Sequence, residues 1–159
     1  FFVLGPISNK PVGNTSHNIP YRSLECSNYM SKLILNIADD KFDKNINNKL
    51  FNPYIRKAIE YVHENYSQDI TIDSLCNYLD INKSYFCSLF KKYTGNTFSY
   101  FLNHFRVEKS KKLLIDTDLN LLDIAITVGF NNQNYYSMVF KKYTNMSPSK
   151  YRASISLEE

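Results

Sequence analysis

Long apolar runs are missing from this chain, and none approaches the ~18 residues that a membrane-spanning helix needs. Nothing near its start resembles a secretory signal. Glycine is scarce, four in 159 residues, and none of the four builds a phosphate-cradling loop or a nucleophile elbow. Cysteine is scarcer still. Cys26, Cys76 and Cys87 are odd in number and lack paired spacing, which argues against a disulfide framework or a zinc site and reads as reduced cytosolic thiols. His17, His63 and His104 have no Cys, Asp or Glu at metal-ligand spacing. The expectation is no metal, no cofactor and no catalysis. The paired acids Asp116 and Asp118 read as part of a polar turn.

What is present is a globular composition, 43% hydrophobic and 21% charged, with a net charge of +4. The charge is unevenly placed. Between Ile81 and Arg152 lie eleven Lys and Arg against four acids, a net +7, which leaves −3 for the remainder. A basic C-terminal half suits a polyanionic partner, nucleic acid or an anionic membrane, and charge alone does not choose between them.

The first fifty residues differ from the rest. Phe1–Leu4 reads as the end of a strand, Ile7–Tyr21 as loop, and Ser23–Ile37 as a helix with Leu24, Met30, Leu33 and Ile37 inward. A polar, aperiodic stretch through Lys49 then reads as a linker. With no Met at its start, the chain is expected to be the C-terminal part of something longer, and residues 1–50 the end of a further domain. Asn52-Pro53 restarts structure with a capping side chain and a proline at the first helical position. Ile55, Ala58, Ile59 and Val62 follow on one helical face.

Beyond that helix a repeat appears with a period of fifty residues. Phe90-Lys91-Lys92-Tyr93-Thr94 recurs as Phe140-Lys141-Lys142-Tyr143-Thr144, and the same offset pairs Asp73 with Asp123, Asn82 with Asn132, Tyr85 with Tyr135 and Ser99 with Ser149. Each unit, 71–93 and 121–143, reads as helix, tight turn, helix. In the first, Ile72, Leu75 and Leu79 face inward. In the second, Leu122, Ala125 and Ile126 are expected to do so, with Gly129 at the turn. Asn82 and Asn132 cap the second helices, and Gly95 and Asn145 end them in left-handed conformation. Two plain hairpins packed for stability would show the same periodicity.

The faces left over are more informative. The first unit leaves Lys83, Ser84, Cys87, Ser88 and Lys91, and the second leaves Gln133, Asn134, Ser137, Met138 and Lys141, with no acid on either. A face built only for solubility would mix Glu with Lys at i, i+4. Small and amide side chains instead suit base edges in a major groove, and Gln or Asn can pair with adenine through two hydrogen bonds. The asparagine caps would leave N–H groups and the positive helix end for a phosphate. Lys91, Lys92, Lys141 and Lys142 would neutralise backbone charge without reading sequence. Phe98 to Ile115 reads as a long connecting helix, about 27 Å at 1.5 Å per residue. Its Lys109, Lys111 and Lys112 read as a solvated stripe. A helical module docking its basic face on an acidic protein is the alternative.

Ala125-x3-Gly129-Phe130-x5-Tyr136-x3-Phe140-Lys141, followed by Ser147-Pro148-x2-Tyr151-Arg152, resembles the C-terminal signature of AraC/XylS transcription regulators. Leu75-x3-Leu79, Ser84-Tyr85-Phe86-x3-Phe90-Lys91-x3-Gly95 and the linker pattern Arg106-x6-Leu113-Leu114 are similar to the rest of that domain. The resemblance spans about Pro53 to Arg152 and implies an all-α fold of seven helices, with two helix-turn-helix units joined by a linker helix, over residues 51–153 ahead of a short tail. It implies a bacterial, cytoplasmic regulator that inserts two recognition helices into adjacent major grooves of double-stranded DNA. Base contacts would fall on Ser84, Cys87, Ser88, Gln133, Asn134, Tyr135, Ser137 and Met138. Phosphate contacts would fall on Asn82, Lys83, Lys91, Lys92, Asn132, Lys141 and Lys142. Ser and Cys reach less far than Arg or Gln, so specificity is expected to lean on the second unit. RNA polymerase, a small-molecule effector held by the preceding domain, and a second copy of the chain are the further partners the resemblance admits.

Overall fold

The computed structural model describes residues 52–155, and in that span the chain forms seven helices and no strand. They are α1 Pro53–Asn65, α2 Ile72–Leu79, α3 Lys83–Thr94, α4 Phe98–Asp116, α5 Leu121–Thr127, α6 Gln133–Thr144 and α7 Pro148–Ile155. The strand expected at Phe1–Leu4 and the helix expected at Ser23–Ile37 lie outside the described residues, as do Cys26 and His17. No helix among the described residues is long and apolar enough to cross a membrane.

Local chemistry starts and stops each helix. Asn52 Oδ1 accepts from the Tyr54 amide at 3.0 Å, with Pro53 in the first turn. Thr71 and Ser74 form a reciprocal capping box on α2. Asp80, at φ 53°, turns the chain into α3, and Gly95 and Asn145 end α3 and α6 at φ 74° and 62°.

Two cores share one helix. The first gathers Ile55, Ile59 and Val62 of α1, Leu75 and Leu79 of α2, Phe86 and Phe90 of α3, and Phe98, Phe101 and Phe105 of α4. The second gathers Val107 and Leu114 of α4, Ile124 and Ala125 of α5, Phe130, and Tyr136, Val139 and Phe140 of α6. Phe90 meets Phe98 and Phe101 edge-on with ring centres 5.6 Å apart, and each such ring contributes roughly 1.5–3 kcal/mol by burial. Burial pushes the Tyr136 hydroxyl up to about 12. The connecting helix is thus no free strut. Its first half completes one unit and its second half the other.

The second helices, their caps and their ends keep the fifty-residue register, whereas the first helices of the two units do not. Leu122 and Ile126, expected inward, are 47% and 53% exposed, whereas Ile124, Ala125 and Val128 are buried. The turns explain the difference. Ile81 N–H bonds to Cys76 O in the first unit, and Phe130 N–H bonds to Ala125 O in the second, an offset of 49. The same offset relates the caps Thr71 and Asn120. Between the left-handed residue and the next cap, the first turn holds Ile81 alone and the second holds Phe130 and Asn131. One extra turn residue shifts the preceding helix by one position, a rotation of about 100°. Leu75 therefore corresponds to Ile124 and Leu79 to Val128, and the pairing of Asp73 with Asp123 is accidental. Leu122→Ser and Ile126→Ser should each change unfolding free energy by less than about 0.5 kcal/mol in urea titration. A loss of about 2 kcal/mol or more at either would restore the fifty-residue register.

Candidate nucleic-acid interface

In α3, Asn82 Oδ1 accepts from the amides of Ser84 at 2.8 Å and Tyr85 at 3.3 Å. In α6, Asn132 Oδ1 accepts from the Tyr135 amide at 2.7 Å. The caps therefore consume part of the amide set that was expected to await a phosphate, two in the first unit and one in the second. With Phe86 and Phe90 buried, α3 turns Lys83, Ser84, Cys87, Ser88, Lys91 and Lys92 to solvent. With Tyr136, Val139 and Phe140 buried, α6 exposes Gln133, Asn134, Lys141, Lys142 and Met138, the last 61% exposed. Ser137 is half-buried.

Two of the candidates have partners that helix periodicity does not reveal. Lys83 Nζ lies 2.9 Å from Asp73 of α2, so an acid from outside the recognition helix answers one of its charges. The contact holds the Lys83 ammonium above its ordinary pKa. Tyr135 Oη accepts from Asn103 Nδ2 of α4 at 3.1 Å, and its ring meets Phe130 at 5.9 Å. Cys87 is exposed, while burial pushes the buried Cys76 thiol up.

The basic count also thins on inspection. Arg106 is only 7% exposed, and Arg152 donates to the carbonyls of Leu114, at 3.2 Å, and Leu119, at 2.7 Å. Both serve the fold's own carbonyls. The stripe expected on α4 reduces to Lys112. Lys109 Nζ sits 5.8 Å from the Tyr66 ring centre and 5.7 Å from that of Phe105, and Lys111 binds Glu108 at 2.8 Å. Burial pushes the Glu108 carboxyl up, but hydrogen bonds from His104 and Lys111 outweigh it and hold the group below its ordinary value. On α3 and α6 the outward basic charge not paired with Asp73 sits at the C-terminal ends, in Lys91, Lys92, Lys141 and Lys142, while Lys57, Lys112 and Lys150 are exposed elsewhere.

Comparison with known proteins places this arrangement. A family profile described as a helix-turn-helix domain matches residues 75–154. The raffinose operon transcriptional regulatory protein RafR of Pediococcus pentosaceus is 37% identical over 100 residues, covering 63% of this chain and 36% of that protein. The melibiose operon regulatory protein of Escherichia coli K12 is 32% identical over 99 residues, covering 62% of this chain and 33% of that one. The chain thus spans about a third of the length of these two relatives. Among solved structures, the C-terminal domain of the response regulator AraT from Geobacillus stearothermophilus superposes with a TM-score of 0.64 at 34% identity, covering 67% of this chain and 88% of that one.

Proposed function

Because the chain belongs to the AraC/XylS-type helix-turn-helix family, a family of transcription regulators, we propose that it binds double-stranded DNA through α3 and α6 and controls bacterial transcription initiation. One observation carries the reading: both capped second helices expose acid-free faces whose lysines lie at matching C-terminal positions. Unpaired acid near phosphate would repel, and its absence from two separate helices fits a polyanion better than water.

In this reading Gln133, Asn134 and Met138 read base edges in one major groove. Ser84, Cys87 and Ser88 make shorter contacts in the next. Lys91, Lys92, Lys141 and Lys142 hold phosphates on either side. Asn82 and Asn132 reach phosphates through their amide nitrogens, since their oxygens cap helices. Lys83 contributes once it leaves Asp73. Tyr135, tied to Asn103, positions α6 beside its base contacts. In the whole protein, the preceding domain would supply an effector site or a homodimer contact, and RNA polymerase would be met at the promoter.

Selection of bound fragments from genomic DNA, followed by titration on the enriched sequence, tests this. Gln133→Ala or Asn134→Ala should each weaken the selected site by ~1–3 kcal/mol and relax preference at one or two base pairs. Selection that enriches no sequence, alongside tight binding to an acidic protein, would favour the protein-docking alternative instead.

A further inference from the structure

We infer that Arg106 is a positioning residue that completes the contacts setting the spacing and rotation between the two recognition helices. It sits on α4 between Phe105, buried in the first core, and Val107, buried in the second. Its Nε donates to Tyr66 O at 2.8 Å, and a terminal nitrogen donates to Gln68 O at 2.7 Å, both in the connection from α1 to α2. Its guanidinium carbon stands 5.6 Å from the ring centre of Phe130, in the turn between α5 and α6. A Cβ on Gly129 in that turn would come within 2.5 Å of Tyr66 O and 2.9 Å of the guanidinium. Three elements, α4, the connection into the first unit and the turn of the second, therefore meet on one side chain.

A buried cation is a costly way to fill space, and an apolar side chain of similar size would serve packing at least as well. What the planar fork supplies is direction: donors aimed at two carbonyls while its charge stands over one ring. Those carbonyls belong to the connection that leads into the first unit, and the ring belongs to the second. Along α4 the second unit is already held by Tyr143 Oη donating to Tyr100 O at 3.0 Å and by Asn103 Nδ2 donating to Tyr135 Oη at 3.1 Å, and Arg106 adds the tie from the α1–α2 connection to the turn between α5 and α6. Arg106 thereby completes the set of contacts that fixes the angle between α3 and α6, and with it the distance between the two grooves they can enter together.

This inference rests on the two-groove reading. Its test uses the full 159-residue chain and duplexes with the selected site intact, with either half-site scrambled, or with one base pair inserted between the halves. An inserted base pair adds ~3.4 Å and about 35° of rotation. Wild type should lose about tenfold or more on insertion. Arg106→Lys offers a single ammonium that cannot reach both carbonyls while standing over the Phe130 ring. It should lose about tenfold on the intact site, bind each single half-site within about twofold of wild type, and lose less than about threefold on insertion. Arg106→Lys that keeps the full insertion penalty overturns the inference, and so does equal weakening on single half-sites. If Arg106→Lys does not fold, Phe130→Leu, which removes the ring beneath the guanidinium, takes its place with the same expected pattern, and wild-type indifference to the inserted base pair overturns the inference while leaving DNA binding standing. A wild type that binds no duplex overturns both.

Discussion

Gly129→Ala is expected to lower unfolding free energy by about 2–5 kcal/mol, read as a shift in the urea midpoint. Two costs add. At φ 91° an alanine sits in left-handed backbone, which costs ~1–2 kcal/mol. Its Cβ would then lie 2.5 Å from a backbone carbonyl and about 3 Å from a guanidinium pinned by two hydrogen bonds, an overpacking cost of ~1–3 kcal/mol. Neither neighbour is the free end of a flexible chain. Gly95→Ala is the control, since its φ is 74° but nothing lies within 4 Å of an added Cβ. It should cost about 1 kcal/mol, and Gly95→Asn less, because Asn145 holds the equivalent place at φ 62°. Equal losses at the two glycines would show that the turn of the second unit is not pressed against α1 and α4.

Replacing Lys91, Lys92, Lys141 and Lys142 together by Gln should shrink the slope of log affinity against log salt by about 3.6, at ~0.9 per phosphate contact. Between 50 and 200 mM salt, wild type should therefore lose about two orders of magnitude more affinity than the variant. All four side chains are exposed in the last turns of their helices, so stability should fall by no more than about 0.5 kcal/mol per substitution. Sequence preference should survive, since these residues hold phosphates while base reading stays with Gln133 and Asn134. A slope like that of wild type would remove the helix ends from the interface.

The parts of the molecule open to sequence reading share one property: their signals act over a few residues. Asn82 and Asn132 announce helices because an asparagine oxygen bonds amides two or three residues away. Phe86 with Phe90, and Tyr136 with Phe140, announce inward faces because i and i+4 lie on one side of a helix. Two helix-turn-helix units and their outward faces follow from such pairs. The register of α5 did not follow, because an identity count at fifty residues cannot see that Asn131 lengthens one turn, and the turn sets which face of the helix before it is buried.

Alone, the sequence determined the first helix, the two helix-turn-helix pairs with their connecting helix, the duplication and the acid-free character of two exposed faces, since capping, periodicity and charge are written locally. Only the tertiary structure decided that Asp73 answers Lys83, that Asn103 holds Tyr135, and that Arg106 points away from solvent. The carbonyls that take the Arg106 bonds lie 40 and 38 residues earlier in the chain. A side chain's direction over such a separation is chosen by the packing of whole helices, and no spacing within its own helix records it.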